Sequence, residues 1–472
     1  MKKILIANRG EIARRVIKSA LSMGIKTVAV YSDPDTQSLY VQEADESYRL
    51  PGITSRETYL QSEKILSIAK KTGCDAIHPG YGFLSENAEF AQLCLDSNIN
   101  FIGPSPEAID HLGSKTNARL LAIENDVPVL PGTTRGVNSF KEAIEIANNI
   151  NFPILLKAAA GGGGKGMRVV ENEDELEVSL KMAQSESLSS FGSDEVFIER
   201  YITEPRHIEL QVIADKLGNV LILGERECSI QRRHQKVIEE APSVILTPDT
   251  RAKMIECAQR LIKGANYYNA GTLEFLLDTD GSFYFLEVNT RLQVEHPVSE
   301  MVTGIDLVKE QLLVAMGEEI SVKQKDLIIN GHAIECRICA EDVYQNFMPS
   351  IGLIRDLIEP VGENIRVDSS LYKGLDVTPY YDPMLAKLIC WGENRETAIE
   401  LSKKALNDFH IAGIKTTIPF CKYVLNHEDF VSGNFSTNFV KKNWLNVEQD
   451  IDMNSMLKIS QAAIISYNKS IL

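Results

Sequence analysis

The sequence lacks any long hydrophobic run. No stretch of its 472 residues approaches the ~20 consecutive apolar residues that a helix needs to cross a bilayer. The apolar stretch after Met1-Lys-Lys runs only from Ile4 to Ala7 and stops at Asn8, which is too short for the core of a secretory signal. We therefore expect a cytoplasmic protein with no membrane partner.

Positive charge, internal repeats and low-complexity segments are also scarce or absent. The 49 Lys and Arg residues face 65 Asp and Glu residues, which gives a net charge of −16. An acidic chain repels phosphate backbones, so no nucleic-acid partner is expected. With 44% hydrophobic and 24% charged residues the chain is typical of globular proteins, and its length suggests about three domains.

The eight cysteines are dispersed and lie mostly in apolar surroundings, as expected of reduced thiols. The one Cys-x-x-Cys pair, Cys336 and Cys339, lies in a stretch from Gly331 to Ala340 that has the pattern of a strand. Residues three apart on a strand point to opposite faces, so this pair is not expected to chelate a metal.

The first ~110 residues alternate strand and helix signals, the pattern of a parallel sheet covered by helices. The predicted strands and helices are Ile4–Ala7, Thr27–Tyr31 and Asp75–Ile77, and Glu11–Met23 and Glu57–Thr72. In such sheets ligands gather beyond the carboxyl ends of the strands. The loops Asn8–Gly10 and His78–Phe83 therefore lie on the predicted functional edge.

A glycine run, Gly161-Gly-Gly-Gly-Lys-Gly166, lies between two predicted strands, Ile154–Ala158 and Met167–Val170. A Rossmann fingerprint needs a helix after the glycines, and a Walker A loop needs Ser or Thr after Lys165, so both are excluded. What remains is a hairpin whose tip lets backbone N–H groups approach phosphate oxygens, with Lys157 adding a positive charge. The alternative is a surface hairpin that binds no ligand.

The rest of the chain predicts a change of architecture. An acidic helix begins at Glu173, and a strand covers Val196–Glu199. Residues 206–300 are predicted to be mainly strands and hairpins around one helix, Asp249–Gly264. A third region begins near Gly331, holds further strands and ends with a helix over Arg395–Phe409.

The stretch from Gly271 to Asn289 predicts a β-hairpin. Asp280-Gly281 is a favoured two-residue hairpin turn, and with that turn Thr279 faces Ser282.

Counting outward from the turn places Glu274 directly opposite Glu287. Like charges at such positions repel, so a cation is expected between them, and Asn289 shares the face of Glu287. Two carboxylates and an amide oxygen suit Mg²⁺ or Mn²⁺ that carries nucleotide phosphates. The alternative is a pair of solvated glutamates on an exposed face of the sheet.

The same alternation continues toward Glu295. If the strand stays extended, five polar side chains project to one side, namely Glu287, Asn289, Arg291, Gln293 and Glu295. The apolar residues between them, Leu286, Val288, Leu292 and Val294, would pack inward. Two metal ligands followed by a guanidinium, an amide and a carboxylate form a suitable site for a small anion beside a metal-bound phosphate.

These motifs resemble the biotin carboxylase subunits of biotin-dependent carboxylases, which are members of the ATP-grasp superfamily. The similarity runs from Ile4 to about Trp444 and rests on the stretches Ile6-Ala-Asn-Arg-Gly-Glu-Ile-Ala, His78-Pro-Gly-Tyr-Gly-Phe-Leu-Ser-Glu-Asn, the glycine run, Pro205-Arg-His-Ile-Glu, Ser229-Ile-Gln-Arg-Arg-His-Gln-Lys, Glu287-Val-Asn-Thr-Arg-Leu-Gln-Val-Glu-His, Glu335-Cys-Arg-Ile and Pro379-Tyr-Tyr-Asp-Pro-Met. The resemblance implies an ATP-dependent dimer that makes carboxyphosphate from bicarbonate and carboxylates N1′ of biotin. It also implies an N-terminal doubly wound parallel α/β domain, an ATP-grasp fold with a mobile lid, and a C-terminal mixed α+β domain.

The resemblance also implies a role for each matching residue. Those that would bind ATP are Lys115, Lys157, Gly162, Gly163, Gly164, Gly166, Glu199, Ile202, His207, Gln231, His234 and Leu276. Those that would hold one or two divalent metals are Glu274, Glu287 and Asn289. Those that would hold bicarbonate are Lys236, Arg291, Gln293 and Val294. Glu295 would be the base that deprotonates bicarbonate, Arg337 would stabilise the biotin enolate, and Tyr81 would lie near the biotin pocket.

The implied domains are an N-terminal domain (1–112), a linker and lid (113–203), an ATP-grasp core (204–330), a C-terminal domain (331–445) and a tail (446–472) of unassigned role. A biotinylated lysine sits in a Met-Lys-Met turn, which the sequence lacks, and no carboxyltransferase region follows. We therefore expect a separate biotin carboxyl carrier protein and a carboxyltransferase as partners. The final acceptor stays open among acetyl-CoA, another acyl-CoA and pyruvate.

Two other functions remain as alternatives. One is a different ATP-grasp ligase that joins a carboxylate to an amine, which would need neither Arg337 nor the Glu295 base. The other is a nucleotide-sensing protein with no turnover, held within a larger complex. A nicotinamide dehydrogenase is excluded by the strand that follows Gly166.

Overall fold

The computed structural model describes residues 1–133, 135–137, 139–158, 167–191, 194–233, 235–444 and 447. Within these ranges the chain forms an N-terminal parallel sheet, a small three-stranded unit and one eight-stranded sheet that extends into the C-terminal part. Among the helices in these ranges, none is both long enough and apolar enough to span a membrane. The mixed α/β and α+β class expected from the sequence is confirmed.

The N-terminal unit is a parallel sheet covered by helices on both faces. Its strands are β1 Lys3–Ile6, β2 Lys26–Tyr31, β3 Glu46–Arg49, β4 Ala76–His78 and β5 Asn100–Phe101; its helices are α1 Gly10–Ser22, α2 Leu39–Glu43, α3 Ser62–Thr72, α4 Ala88–Asp96 and α5 Pro106–Gly113, with a 3-10 turn at Asp33–Asp35. The strand order is β3-β2-β1-β4-β5, and apolar side chains of α1 pack on one face while those of α3 and α4 pack on the other. This is the predicted doubly wound arrangement.

Helix α3 begins five residues later than the sequence predicted. The chain before Ser62 forms turns, in which the Glu57 carboxylate accepts hydrogen bonds from the backbone N–H groups of Ile53 at 3.0 Å and Thr54 at 2.9 Å. The side chain of Glu57 thus satisfies the donors of a turn, an alternative to helix that acidic side chains offer the backbone. The predicted helix start at Glu57 is therefore wrong.

The loops that follow β1 and β4 meet at one edge of this sheet. Nδ2 of Asn8 donates to the carbonyl oxygens of Pro79 and Tyr81, each at 2.7 Å. The two loops assigned to the functional edge are therefore in contact, as parallel topology requires.

A small three-stranded sheet and its helices follow. The elements are α6 Lys115–Glu124, α7 Phe140–Ile150, β6 Ile154–Ala158, β7 Met167–Val170, α8 Glu173–Phe191 and β8 Val196–Arg200. The strand order is β7-β6-β8, and α7 and α8 cover the sheet with apolar side chains. The antiparallel pairing of β6 with β7 confirms the predicted hairpin, whose glycine tip lies outside the described residues.

The central part of the chain is dominated by long antiparallel strands. Its elements are β9 Arg206–Ala214, β10 Val220–Arg232, β11 Gln235–Ala241, α9 Pro248–Gly264, β12 Asn269–Leu277, β13 Phe283–Asn289, α10 His296–Thr303 and α11 Leu307–Ala315, with a 3-10 turn at Gln324–Asp326. The sequence predicted a single helix within residues 206–300, but α10 also begins there.

Among the described residues, the C-terminal part adds strands and four helices to this core; the prediction that the region ends with the helix over Arg395–Phe409 is wrong, because three further helices follow it. The elements are β14 His332–Cys339, β15 Glu341–Asp342, β16 Met348–Pro349, β17 Gly352–Leu353, β18 Asp356–Ile358, β19 Ile365–Ser369, β20 Asp376–Val377, β21 Met384–Gly392, α12 Arg395–Asp408, β22 His410–Ala412, α13 Ile418–Asn426, α14 Glu428–Ser432 and α15 Phe439–Asn443, with a 3-10 turn at Val343–Gln345.

One sheet joins the central and C-terminal parts. Its strand order is β13-β12-β9-β10-β11-β14-β21-β19, so the pairing of β11 with β14 carries the sheet past Gly331. Cys336 and Cys339 lie on β14, as predicted, and all eight cysteines fall within the described ranges as free thiols.

Candidate active site

The two glutamates of the β12–β13 hairpin lie directly opposite each other. Glu274 pairs with Glu287 in antiparallel register, which confirms the sequence prediction. The Glu274 side chain is 8% exposed and the Glu287 side chain 33%, so one carboxylate is inside the protein and the other reaches solvent.

The hairpin turn is one residue longer than predicted. The N–H of Asp278 donates to the carbonyl of Ser282 at 2.8 Å, which encloses a three-residue loop in which Gly281 has a φ of 85°. The Asp280 carboxylate accepts a hydrogen bond from the N–H of Ser282 at 2.8 Å and stabilises this wider loop. The predicted pairing of Thr279 with Ser282 is therefore wrong.

A β-bulge compensates for the longer turn. Phe275 pairs with Phe285 and Glu274 pairs with Glu287, which leaves Leu286 as an extra residue on β13. A bulge places two residues opposite one and shifts the register by one. The count from the turn thus reached the correct pair because two departures cancel.

The chain leaves the strand after Asn289, so the predicted extension through Glu295 is wrong. Glu295 has φ −81° and ψ 10° and immediately precedes α10, whose second residue is Pro297. Proline favours the first turn of a helix, so Pro297 suits the start of α10, and residues 290–295 connect β13 to that helix without being part of a strand. The polar side chains still converge, since Nε2 of Gln293 donates to Oε1 of Glu274 at 2.9 Å.

Lys236 on β11 lies at the centre of the buried charges. Its ammonium donates to Glu209, to Oε1 of Glu274 at 2.9 Å and to Oε1 of Glu295 at 2.5 Å. Burial alone would lower the pKa of Lys236, but the three carboxylates raise it well above its ordinary value. Lys236 is therefore a permanent cation that holds the acids of three elements together.

Glu295 lies between two cations. Its Oε1 accepts from Lys236, and its Oε2 accepts from Nη2 of Arg337 at 2.9 Å. Burial favours the neutral acid, but these cations bring the pKa of Glu295 well below its ordinary range. Glu295 is therefore ionised at physiological pH, and it becomes a stronger base whenever a ligand draws the cations away.

Arg337 on β14 is shared by two carboxylates. Its Nε donates to Oε1 of Glu239 at 2.6 Å, while Nη2 reaches Glu295. Burial raises the pKa of Glu239 to about 7, although Arg337 acts in the opposite direction. Glu239 thus holds the Nε side of the guanidinium, and Nη2 is directed toward Glu295.

Arg291 forms the outer side of the site. Its Nη2 donates to Oδ1 of Asn289 at 3.0 Å, and its Nε donates to Oε2 of Glu86 at 2.9 Å. Together with Lys236 it gives the site two cations and the amide of Gln293, the donor set expected for a small anion.

The proposed metal ligands have the right chemistry for a hard divalent cation. Glu274 accepts from Nδ2 of Asn289 at 2.9 Å and lies 3.1 Å from Nε2 of His207, so its carboxylate is held by donors on several sides. Its partner Glu287 faces Lys115 at 3.4 Å. Two carboxylates and an amide that presents its oxygen after rotation would offer Mg²⁺ oxygen ligands, so these residues fit the ion.

Two predicted nucleotide-binding side chains are already in contact. Lys157 on β6 forms an ion pair with Glu199 on β8, and Arg119 lies 3.5 Å from the same carboxylate. Two side chains that the resemblance assigns to ATP binding are therefore paired with each other.

The remaining predicted nucleotide residues line the adjoining strands. His207 and Leu276 are cross-strand partners on β9 and β12, and Nε2 of Gln231 lies 2.9 Å from Nδ1 of His207. Ile202 is buried just after β8. The other predicted residues, His234, Gly162, Gly163, Gly164 and Gly166, lie outside the described residues.

Tyr81 reaches the site through a chain of buried groups. Its hydroxyl donates to Glu11, and the same carboxylate lies 3.3 Å from Nζ of Lys387. The Lys387 ammonium, which is fully buried, donates to the carbonyl of Val294 at 2.9 Å. The N-terminal sheet edge is thus connected to the loop that carries Glu295.

Sequence reasoning missed several charged residues of the site. These are Glu86, Glu209, Arg226, Glu239 and Lys387. One signal was available: Glu209 is two residues from His207 in a predicted strand and so shares its face. The others contact the site across strands that are distant in sequence, and no local pattern marks them.

Comparison with known proteins assigns the family. The chain matches the models of the biotin carboxylase N-terminal domain over residues 1–109, the carbamoyl-phosphate synthase L chain ATP-binding domain over 114–323 and the biotin carboxylase C-terminal domain over 335–442. It is 51% identical to biotin carboxylase 1 of Bacillus subtilis, over 93% of this chain and 98% of that one. It is 44% identical to the 2-oxoglutarate carboxylase small subunit of Hydrogenobacter thermophilus, over 99% of each chain.

A solved structure agrees in fold. The biotin carboxylase domain dimer of the H. thermophilus 2-oxoglutarate carboxylase, in complex with MgADP, ADP and bicarbonate, superposes with a TM-score of 0.88 at 46% identity, covering 93% of this chain and 97% of that one. The sequence matches span the N-terminal sheet, the ATP-binding core and the C-terminal strands that carry the buried charges. The chain belongs to the biotin carboxylase family of ATP-grasp enzymes.

Proposed function

We propose that this chain is the biotin carboxylase component of a biotin-dependent carboxylase. It uses ATP to convert bicarbonate to carboxyphosphate and then carboxylates N1′ of biotin on a separate carrier protein. The observation that carries the proposal is the buried Glu295 carboxylate held between Lys236 and Arg337. The MgADP and bicarbonate in the H. thermophilus relative support the choice of ligands.

Bicarbonate would bind among Lys236, Arg291, the amide of Gln293 and the backbone of Val294. Once bicarbonate shares the charge of Lys236, the pKa of Glu295 rises toward the range in which a carboxylate accepts a proton. Glu295 takes the hydroxyl proton of bicarbonate, and the freed oxygen attacks the γ-phosphorus of ATP. A P–O bond forms to give carboxyphosphate, and ADP leaves.

The nucleotide and metal would bind on the adjoining strands. Glu274, Glu287 and Asn289 would hold Mg²⁺ or Mn²⁺ at one or two sites, where the metal neutralises charge on the phosphates. Lys115 is 63% exposed and Lys157 is 25% exposed, so both can turn toward phosphate oxygens. For Lys157 this means release of Glu199, which is then free to accept from the adenine amino group.

Biotin would enter from the side of Arg337 and Tyr81. The phosphate released when the C–O bond of carboxyphosphate breaks would take the proton of the ureido nitrogen, which then bonds to the carbon of the released CO₂. Before that bond forms, negative charge moves to the ureido oxygen, where a guanidinium can meet it. The guanidinium of Arg337 is already largely removed from solvent and held by Glu239. To bind biotin it would replace its hydrogen bond to Glu295 with one to the ureido oxygen.

The assembly follows from the same proposal. We propose the five segments 1–112, 113–203, 204–330, 331–445 and 446–472 as domains and tail, a homodimer like that of the H. thermophilus relative, and a biotin carboxyl carrier protein and a carboxyltransferase as partners. Eight free thiols, seven of them buried, support a cytoplasmic location.

The proposal is tested by ATP cleavage with the purified chain. Cleavage should require bicarbonate and increase when free biotin is added. Replacing Glu295 by Gln should lower the bicarbonate-dependent rate by about 100-fold or more, since a general base typically supplies 10²–10⁴-fold. ATP should bind the variant as tightly as it binds the parent, because Glu295 is ionically tied to the bicarbonate side of the site.

The control is Glu318→Gln, an exposed residue beyond α11, which should leave the rate unchanged. ATP cleavage that ignores bicarbonate but needs a carboxylate and an amine would favour the other ATP-grasp ligase. No turnover under any condition would favour a nucleotide-sensing protein, and near-parental activity of Glu295→Gln would refute the base assignment.

A further inference from the structure

Arg226 on β10 has a fully buried guanidinium that contacts two residues of the site, Glu209 and Gln293. Its side chain is 0% exposed. It donates hydrogen bonds to groups on β9, β12, α10 and the loop before α10, namely Glu209, Gln211 Oε1 at 2.5 Å, Thr272 Oγ1 at 3.2 Å, Gln293 Oε1 at 2.8 Å and Ser299 Oγ at 3.0 Å. A side chain with only donors is thus surrounded by acceptors.

The contact with Gln293 fixes which end of that amide faces the substrate. Oε1 of Gln293 accepts from Arg226, and Nε2 points the other way, to Oε1 of Glu274 at 2.9 Å. Turning the amide over would set its NH₂ group against the guanidinium, donor against donor, while an oxygen would face the Glu274 carboxylate. Both exchanges are unfavourable in a buried site, so Gln293 presents N–H groups to the site.

The contact with Glu209 sets how much of the Lys236 charge is left for a substrate. One oxygen of Glu209 accepts from Nε of Arg226 and the other accepts from Lys236. Because Arg226 already neutralises the negative charge of Glu209, Lys236 does not have to compensate that charge by itself. Its ammonium can therefore serve an incoming anion.

We propose that Arg226 is a positioning residue of the bicarbonate site: it orients the Gln293 amide as a donor and balances Glu209 so that Lys236 can bind the anion. This inference rests on the proposed function and adds a residue that does not touch the substrate. If Arg226 served only to pack the interior, its replacement would lower the stability of the protein and would not change the KM for bicarbonate more than the KM for ATP.

The test separates these roles by the KM values for the two small substrates. Arg226→Lys keeps the charge but loses the planar fork that reaches Gln293 and Glu209 together. In bicarbonate-dependent ATP cleavage we expect the KM for bicarbonate to rise at least tenfold and the KM for ATP to stay within threefold. Thr272→Val and Ser299→Ala each remove another partner of Arg226 and should leave both KM values within threefold.

A double-mutant cycle tests whether Arg226 acts through Gln293. In a Gln293→Ala background, Arg226→Lys should raise the KM for bicarbonate by clearly less than it does in the parent, because the amide to be oriented is gone. Equal effects in both backgrounds, an unchanged KM for bicarbonate in Arg226→Lys, or equal increases in both KM values would each overturn the proposal.

A second pair of variants covers the case in which Arg226→Lys does not fold. Arg226→Met combined with Glu209→Gln leaves no unpaired charge in the interior, and Glu209→Gln alone is its reference. The combined variant should have the higher KM for bicarbonate, and equal values would contradict the orienting role. The parent enzyme is assayed first: if its ATP cleavage ignores bicarbonate, the proposed function fails, which is distinct from failure of the Arg226 assignment.

Discussion

Arg337 and Glu295 form a partly buried ion pair, with Nη2 of the arginine 2.9 Å from Oε2 of the glutamate. The residue proposed to meet biotin and the residue proposed to deprotonate bicarbonate therefore neutralise each other in the free enzyme. Glu239 holds the opposite side of Arg337, which keeps the guanidinium in place when Glu295 turns to its substrate.

The first prediction concerns the two half-steps of the reaction. Arg337→Ala should reduce biotin carboxylation at least tenfold more than it reduces bicarbonate-dependent ATP cleavage, because only biotin carboxylation develops charge on the ureido oxygen. Both rates are measured on the same preparation, as ADP release and as carboxybiotin formed.

The matched control is Arg395→Ala. Arg395 also forms a partly buried ion pair, at 2.6 Å from Glu240, the residue that follows Glu239. That variant should lose stability and keep the ratio of the two rates. Equal losses of both rates in Arg337→Ala would argue against a role on biotin.

The second prediction concerns the metal. Glu287 is one third exposed and faces Lys115 at 3.4 Å, so Glu287→Gln should leave folding stability within about 1 kcal/mol of the parent. The Mg²⁺ concentration for half-maximal ATP cleavage should rise at least tenfold, since a carboxylate ligand is replaced by a neutral amide. Glu177→Gln, which breaks an exposed ion pair with Lys181 on α8, serves as the control. An unchanged Mg²⁺ dependence would remove Glu287 from the metal site.

Local signals predicted the N-terminal sheet, the two hairpins and the facing pair Glu274 and Glu287, whereas the ATP-grasp fold and the roles of most other site residues came from the resemblance to biotin carboxylases. The period of apolar residues marked α1 and β1, and the glycine run between two strands marked the β6–β7 hairpin, all of which are confirmed. One error has a local cause, since the side chain of Glu57 satisfies a turn; another is that the chain leaves β13 after Asn289 instead of staying extended through Glu295.

Residues that act across strands could not be found in this way. Arg226 contacts Gln293, 67 positions away in the sequence, and Glu239 contacts Arg337, 98 positions away. Within their own strands, Arg226 and Glu239 show no feature that distinguishes them from other charged residues. Burial and long-range pairing give them their role, and both arise only when β9, β10, β11 and β14 come together in one sheet.

The third prediction concerns Lys387, a buried cation that holds the Val294 carbonyl. Lys387→Met should lower the free energy of unfolding by about 3 kcal/mol, because it leaves the buried Glu11 carboxylate without its cation. The double variant Lys387→Met/Glu11→Gln should recover part of that loss in urea unfolding. If the single variant is as stable as the parent, Lys387 and Glu11 do not form the ion pair described.

The last prediction concerns Glu335, a fully buried acid that lies opposite Glu239 in the pairing of β11 with β14. Neither of its carboxylate oxygens has a hydrogen-bond partner among the described residues. Burial raises the pKa of Glu335 well above its ordinary value of 4.5, and Glu239 and Glu295 act in the same direction against Lys387 and Arg337. Glu335 is therefore a neutral acid in the folded protein.

A raised pKa in the folded state fixes the sign of the pH dependence. Below about pH 4.5 Glu335 is protonated in both states and costs nothing; above it the unfolded chain releases the proton while the folded chain keeps it, so stability falls as pH rises. Glu335→Gln removes this cost. Relative to the parent, the variant should gain stability between pH 5 and pH 8 in urea unfolding, because only the parent loses stability through Glu335 as the pH rises. Glu63→Gln, at an exposed position on α3, should show no such gain. A difference between Glu335→Gln and the parent that is the same at both pH values would mean that the pKa of Glu335 is equal in the folded and unfolded chains, which would contradict a neutral acid in the fold.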